Sequence, residues 1–289
     1  MTDLLKSVCI NLGCGSRIHS DWRNLDVNPY MEGVESWNVS EGIPADSQSV
    51  DMVYHSHLLE HLHQREGEDF IQECFRVLKP GGIMRVVVPD LERICKEYLS
   101  TINEVDEGMR NAHLNAHWMR LELFDQMTRD VSGGKMLQFL QSNPDNREFI
   151  TKRCGKEILS FLNHGSNKPH SAPLIQTIPL HLKFKQLLKN FFNLCWHKEK
   201  LFKALLSISD YEALRYGRFN QSGELHKQMF DRISLQALLQ EVGFSKCTLQ
   251  SHLSSSFPQW KEFYLDNNRL GEARKPDSLY LEAVKPHLP

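Results

Sequence analysis

The order of short apolar segments in the first ninety residues constrains the fold of this chain more than any other feature. Apolar runs typical of buried strands lie at residues 8–12, 22–26, 34–38, 49–55 and 83–88. Residues 68–78 carry apolar side chains at helical spacing, and the Lys-Pro-Gly-Gly sequence after them should end that helix because proline cannot continue it. Apolar strands of this kind are typical of a parallel sheet covered on both faces, so the sequence predicts an α/β fold.

Residues able to bind a ligand follow these predicted strands. Gly13 and Gly15 come directly after the first strand, and Asp26 ends the second. Asn38 ends the third strand, and residues 55–57 lie where the fourth one ends. In parallel α/β sheets, ligands bind at the carboxyl ends of the strands, near the point where the strand order reverses. We therefore expect a ligand site at this edge, where a carboxylate could accept hydrogen bonds from both hydroxyls of a ribose.

The glycine motif differs from a dinucleotide-binding fingerprint. Ile18 stands where the third glycine of G-x-G-x-x-G would be. Only ten residues separate Gly15 from Asp26, whereas the acid of a dinucleotide site follows its fingerprint by about 20 residues. Two glycines by themselves also fit an ordinary tight turn. The segment 16–21 is too short for a first helix, whose N-terminus would bind phosphates, so the sequence favours a ligand with a ribose and an amino-acid end.

The segment HSHLLEHLH, residues 55–63, contains the pattern H-x-x-E-H at His57, Glu60 and His61. One class of zinc peptidases carries this pattern, and such a site needs it within a helix, with a third protein ligand. Here the pattern begins at the end of a predicted strand, so the sequence disfavours a zinc peptidase.

Four segments of the chain resemble the class I S-adenosylmethionine-dependent methyltransferases: INLGCGSR, LDVNP, IPADSQSVDMVYHSHLLEHL and ECFRVLKPGGIMRVVVPDLE. The nearest likeness is to bacterial methyltransferases associated with polysaccharide and glycosyltransferase gene clusters. A weaker likeness continues in YEALRYGRFNQSGELHKQMFDRISLQALLQEVGF and KPDSLYLEAVKP. The resemblance implies a doubly wound, mostly parallel, seven-stranded Rossmann-like sheet with a helical insertion after the fifth strand.

The resemblance also implies S-adenosylmethionine as cofactor. The residues expected to contact it occupy the family's motif positions: Asn11, Gly13, Cys14, Gly15, Asp26, Asn38, Val39, His55 and Ser56. The glycine motif would line the methionine end, the acid after the second strand would hold the ribose, and the residues after the third and fourth strands would meet the adenine and the sulfonium. Asn11 and Asn38 replace acids that the family commonly has, which removes the charge-assisted part of their hydrogen bonds.

The implied reaction is methyl transfer to a hydroxyl of a small molecule, sugar or glycolipid. His57 is the first candidate for the general base, because it follows the fourth strand and imidazole titrates near neutrality; His61 and His117 are further candidates. His57 could instead hold its loop by hydrogen bonds. Two alternatives stay open: a metal-assisted O-methyltransferase that uses Glu60 and His61, and an inactive binding module, which Asn11 and Asn38 would permit. We assign no metal ligand from the sequence.

Three parts of one domain follow from these assignments. Residues 1–95 form the cofactor-binding half, residues 96–230 a helical insertion over the substrate, and residues 231–289 a helix and an antiparallel strand pair that complete the sheet. Within the insertion, segment 165–209 holds seven lysines and one acid. Its part 182–206 is amphipathic, and predicts either a helix packed on the domain or a peripheral contact with a membrane surface.

The sequence pattern of residues 91–130 predicts that this segment is also helical. An apolar stripe runs from Leu114 to Met127, and the polar residues between, including Glu122 and Asp125, should form a solvated face.

Bulk composition narrows the classes of function. Hydrophobic residues make up 40% of the chain and charged residues 24%, which is typical of a soluble globular protein. The formal net charge of -2 gives no general attraction to nucleic acid. Seven cysteines without a C-x-x-C pair indicate a reduced compartment. We expect no signal peptide and no membrane span, hence a cytoplasmic protein, with the inner membrane face as a further possible location.

Overall fold

A seven-stranded sheet forms the centre of the protein. The computed structural model describes residues 7–29, 31–159, 161, 202, 203 and 205–287. The strands are β1 Cys9–Leu12, β2 Arg23–Asp26, β3 Val34–Ser36, β4 Val50–Ser56, β5 Leu78–Pro89, β6 Ser245–Leu249 and β7 Ser278–Val284. Their order is β3-β2-β1-β4-β5-β7-β6, and β7 is antiparallel to both of its neighbours. The predicted α/β class is confirmed, and the sheet is mixed.

Seven α-helices accompany the sheet in the part of the chain that is described: α1 Gln64–Val77, α2 Leu91–Asp106, α3 Ala112–Thr128, α4 Gly134–Gln141, α5 Arg147–Cys154, α6 Ile208–Asn220 and α7 Arg232–Val242. Short 3-10 turns lie at Val39–Glu41, Leu59–His61, Lys156–Ile158 and Trp260–Phe263. Helices α2 to α5 follow β5 in the chain, and α7 precedes β6. Segments 1–95 and 231–289 thus both contribute strands to one sheet.

Two boundaries differ from the sequence prediction. The helical region 91–130 is two helices, because Gly108 and Asn111 between them have φ angles of 70° and 62°, in the left-handed region that ends a helix. Strand β5 begins at Leu78 instead of residue 83. Gly81 donates a backbone hydrogen bond to Lys285 O and Gly82 O accepts one from Lys285 N, so these glycines stay in the ladder.

Strand β4 distributes its side chains between two cores. Successive side chains of a strand point to opposite faces of the sheet. Val53 packs in the larger core, with Ile71 of α1 and Leu235 of α7. Tyr54 packs on the other face, with Trp260. This alternation decides which residues at the end of β4 reach the site described below.

Among the described residues, no helix is long and apolar enough to cross a membrane. The basic segment 165–209 lies largely outside the described residues, and so does its part 182–206. The peripheral membrane contact therefore stays a prediction.

Candidate active site

The glycine turn after β1 closes against the end of β2. Gly13 and Gly15 have φ angles of 61° and 50°, which favour glycine. A Cβ atom on Gly13 would lie 3.0 Å from Leu58 Cδ1. Gly15 N donates a hydrogen bond of 2.8 Å to Asp26 Oδ2. The backbone of this turn is therefore held in one conformation, and its two glycines leave it open to a ligand.

Asn11 helps to shape this turn. Its Nδ2 donates to Arg17 O at 2.7 Å and to Asn24 Oδ1 at 3.1 Å. A carboxylate has no proton to donate in this arrangement. The loop needs a donor at this position, which explains why the sequence has an asparagine where the family commonly has an acid.

A cavity of about 270 Å³ opens at the carboxyl ends of β1 and β4; we call it the glycine-loop cavity. It brings together six of the predicted residues: Asn11, Gly13, Cys14, Gly15, Ser56 and His57. Sequence reasoning missed the charged residues that complete its wall: Arg17, Glu157, Asp266, Arg274 and Lys275. Arg17 pairs with Glu157, and Arg274 lies 3.6 Å from the same carboxylate. These residues come from distant parts of the chain, and no local motif signals their meeting.

Four predicted cofactor residues do not line this cavity: Asp26, Asn38, Val39 and His55. Asp26 lies at the end of β2, next to the glycine turn. Asn38 is exposed, and its Oδ1 accepts from Ser40 N at 3.1 Å to cap the short turn that starts at Val39. The ribose and adenine roles of these residues stay predictions.

The expected position of His55 beside the sulfonium is corrected. Its side chain is fully buried, and its ring centroid lies 5.1 Å from that of Phe70 in the core beside α1. Burial lowers its pKa to about 4, against the opposing effect of Glu60. The reason is strand alternation: Ser56 faces the cavity, so its neighbour faces away.

His57 lies at a sharp turn of the chain. Its φ angle is 53°, and its backbone N donates to Val87 O at 2.8 Å. The Nε2 atom lies 2.8 Å from Ser278 Oγ, and Nδ1 lies 3.1 Å from Glu60 Oε1. A positive φ at a non-glycine residue is strained, and such strain often occurs at functional sites. The backbone thus holds this ring in one place.

Glu60 sets the tautomer of the His57 ring. Burial acts to raise the pKa of Glu60, but His57, with smaller effects of His61 and His226, outweighs it and the pKa falls to about 2. An ionised carboxylate can only accept, so the proton belongs on Nδ1. The Nε2 atom then accepts from the Ser278 hydroxyl and is the basic atom of the ring.

His57 also lines a second cavity, of about 300 Å³, which we call the α3 cavity. Its other walls include Glu122 and Gln126 of α3, and Asp277 before β7. His57, Glu157 and Lys275 line both cavities. The imidazole therefore stands between the two spaces.

The other two predicted catalytic histidines line neither cavity. His61 lies in the 3-10 turn Leu59–His61, with Nδ1 3.3 Å from Leu225 O, and burial lowers its pKa. His117 is half-buried on α3, with Nδ1 2.9 Å from Arg120 Nη2. The H-x-x-E-H pattern spans a strand end and a 3-10 turn, not a helix, which agrees with setting aside the zinc-peptidase hypothesis.

The solvated face predicted for α3 is wrong at two positions. Glu122 and Asp125 are only 3% and 4% exposed. Trp118 Nε1 donates to Glu122 Oε1, and Arg153 Nη2 lies 3.0 Å from Oε2. Burial raises the pKa of Glu122 to about 7 against the opposing effect of Arg153. The spacing of four residues between Trp118 and Glu122 was the sequence signal of their hydrogen bond. The same spacing is also common for pairs on an exposed helix face.

Glu122→Gln is expected to change how stability depends on pH. The folded pKa of about 7 exceeds the ordinary value of 4.5, so the folded state holds the proton more tightly. That stabilisation is complete below the ordinary pKa and is lost as the pH rises through about 7. Between about pH 5 and pH 7.5, the wild type should lose about 2 kcal/mol of unfolding free energy relative to the variant. Urea unfolding at both pH values measures this, and equal pH slopes would contradict it.

Comparison with known proteins agrees with this geometry. Residues 11–86 match the family described as Methyltransferase domain. A stretch of 53 residues is 42% identical to a probable S-adenosylmethionine-dependent methyltransferase of Mycolicibacterium smegmatis, and covers 18% of this chain. The match spans 20% of that relative's own length.

Solved structures give a weaker comparison. An S-adenosylmethionine-dependent methyltransferase from Archaeoglobus fulgidus is 11% identical over 96% of this chain and 86% of its own, with a TM-score of 0.37. A Burkholderia thailandensis 1,6-didemethyltoxoflavin-N1-methyltransferase with bound S-adenosylhomocysteine is 18% identical over 29% of this chain and 45% of its own, with a TM-score of 0.25. These scores are low, so the fold rests on the strand order above.

Residues 11–86 thus resemble a methyltransferase domain over about a quarter of the chain, and this match and the curated relative indicate S-adenosylmethionine as the cofactor.

Proposed function

We propose that the protein transfers a methyl group from S-adenosylmethionine to a hydroxyl of a small molecule, with sugars and glycolipids as the first class to test. The observation that supports this most is the position of His57 between the glycine-loop cavity and the α3 cavity. The cofactor supplies an activated methyl group. The chain must then align the acceptor hydroxyl and remove its proton.

The residues of the glycine-loop cavity fit the methionine end of this cofactor. The turn at Gly13 and Gly15 leaves room for a ligand beside the backbone. Arg17 and Arg274 offer cations for the cofactor's carboxylate, and Glu157 offers an acceptor for its amine. Asp26 is bonded through Oδ2 to the glycine turn, next along the sheet edge, where it would hold the ribose.

The α3 cavity supports an acceptor that has both polar and apolar parts. Glu122, Lys275 and Asp277 form its charged wall, while Ile94 and Met136 form an apolar one. The Nε2 atom of His57 lies 2.8 Å from Ser278 Oγ, and an acceptor hydroxyl in the α3 cavity would donate to this nitrogen. The charged wall favours a hydroxylated head group, which is why sugars come first.

Two measurements test the proposal. Calorimetry should show binding of S-adenosylmethionine with a Kd on the order of micromolar. A screen with methyl-labelled cofactor against nucleotide sugars, glycolipids and small phenols should then label an acceptor. Absence of cofactor binding by folded protein would refute the proposal, and labelling of RNA or protein alone would refute the hydroxyl acceptor. Binding without any transfer would favour the binding module.

Asp26→Asn is expected to weaken cofactor binding by about 10–100-fold, because hydrogen bonds to a charged group contribute about 1.5–3 kcal/mol. The asparagine Oδ1 can still accept from Gly15 N, which keeps the glycine turn bonded, but the bond that Asn28 N donates to Asp26 Oδ1 at 2.9 Å is then lost. Calorimetry measures the Kd, and Asp69→Asn on the exposed face of α1 is the matched control. Equal affinities for the two variants would remove Asp26 from the cofactor site.

A further inference from the structure

Glu60 is a buried carboxylate with too few hydrogen-bond donors around it in the part of the chain that is described. Its side chain is fully buried, and neither oxygen accepts a well-aligned hydrogen bond from the described residues. The His57 Nδ1 atom lies 3.1 Å from Oε1. Buried charges in proteins are normally paired and hydrogen-bonded, or else bind a metal. The methyl-transfer site therefore does not explain why Glu60 Oε2 is buried without a hydrogen-bond donor from the segments that the structure describes.

Two histidines complete a ligand set around this carboxylate. One ligand atom each from Glu60, His61 and His226 lies within 4.8 Å of the other two. The rings of His61 and His226 meet edge to face with centroids 4.8 Å apart. His226 is 5% exposed, and its Nδ1 has no hydrogen-bond partner among the described residues. Two imidazole nitrogens and one carboxylate oxygen form a donor set that suits zinc.

Backbone hydrogen bonds connect the segments that carry Glu60 and His226 without any ion. Lys227 N and Gln228 N donate to Glu60 O at 2.6 Å and 3.2 Å. His226 N donates to Gln126 O of α3 at 3.0 Å. These hydrogen bonds join the turn after β4 to the segment before α7, beside α3. The relative positions of the three metal-ligand candidates are therefore fixed in part by the backbone.

The His61 ring has the second contact that metal-bound histidines usually have. Its Nδ1 lies 3.3 Å from Leu225 O, which favours the proton on that nitrogen. The Nε2 atom is then left as a neutral ligand. Neither Glu60, His61 nor His226 lines the glycine-loop cavity or the α3 cavity. An ion held here would sit behind His57, away from the cofactor and acceptor spaces.

We propose that Glu60, His61 and His226 bind one divalent transition-metal ion, with Zn²⁺ the best match to the donor set and water in the remaining coordination position. The ion joins the turn after β4 to the segment before α7. Glu60 bridges it to His57: one carboxylate oxygen faces the metal and the other faces His57 Nδ1. The ion is thus a positioning element for the His57 ring and does not touch the reacting groups. The metal binding itself stands independently of the proposed methyl transfer.

Full-length protein without an affinity tag tests the site. After treatment with a chelator and its removal, titration with Zn²⁺ should show about one equivalent bound with a Kd on the order of micromolar or tighter, and should raise the thermal midpoint. His226→Gln should lower the affinity at least about 100-fold, more than the 10–100-fold typical of an outer-shell partner. His113→Gln, an exposed histidine on α3, should bind Zn²⁺ as the wild type does.

The outcomes separate this site from others in the chain. No Zn²⁺ binding by the folded wild type, or unchanged binding by His226→Gln, would overturn the proposal; the latter would place the ion elsewhere. Should His226→Gln fail to fold, the Co²⁺ spectrum of the wild type decides, because a thiolate charge-transfer band would reveal cysteine ligands and its absence is expected. S-adenosylmethionine binding measured on the same metal-free protein tests the proposed function separately.

Discussion

His57→Gln is expected to lower kcat by about 10²–10⁴-fold, the usual contribution of a general base. The glutamine amide can still contact Ser278 and Glu60, but it cannot take a proton. His57 lines the glycine-loop cavity, but the contacts proposed for the cofactor come from the glycine turn and from Arg17, Arg274 and Glu157. For that reason the Kd for S-adenosylmethionine should change little. The predicted effect therefore falls on the rate of transfer and leaves cofactor binding nearly intact.

The measurement uses the acceptor returned by the methyl-transfer screen. His113→Gln, exposed on α3, is the matched control, and His117→Gln tests the other candidate on that helix. Retention of kcat within a few-fold by His57→Gln would contradict the role of base.

A second variant separates base catalysis from support of the loop. Replacing His57 with alanine removes the ring and both of its side-chain contacts. Added imidazole should restore part of the rate if the ring takes the proton, because a free base can enter the space that is left. Loss of activity without any rescue would favour the purely structural role.

The sheet and the glycine turn could be predicted because their signals are local. Apolar runs followed by glycine or an acid mark strand ends, and the first five strands lie within a few residues of the predicted ranges. The same pattern placed Gly13, Ser56 and His57 at one edge of the sheet. The position of His55 could also have been found locally, since adjacent residues of a strand cannot both face one cavity.

The remaining features depend on contacts between distant segments. The helical pattern predicts a solvated face for Glu122, but Arg153 and the packing of α5 bury it. His226 meets Glu60 only because the segment before α7 bonds to the turn after β4. Lys275 reaches both cavities from the chain before β7. Hydrophobic periodicity carries no information about such meetings, so the acceptor side and the metal site needed the structure.

Arg85 forms a buried ionic cluster on β5, next to the central strand of the sheet. It is fully buried on β5, where Nε donates to Asp266 Oδ2 at 2.8 Å and Nη1 donates to Glu282 Oε1 at 2.8 Å. Its guanidinium carbon lies 4.4 Å from the ring centre of Trp260. Both carboxylates are buried, so Arg85 is the cation that compensates their charge among these residues.

Arg85→Met is expected to lower the unfolding free energy by about 3–5 kcal/mol, because it leaves two buried carboxylates without their cation. Arg232→Met is the matched control: it removes the same charge from an exposed pair with Glu92 and should cost at most about 1 kcal/mol. Urea unfolding measures both variants. Tyr54 donates to Asp266 Oδ1 at 2.6 Å, and both residues line the glycine-loop cavity, so Arg85→Met should also weaken cofactor binding. Equal losses of stability in the two variants would show that the buried cluster contributes no more than a surface ion pair.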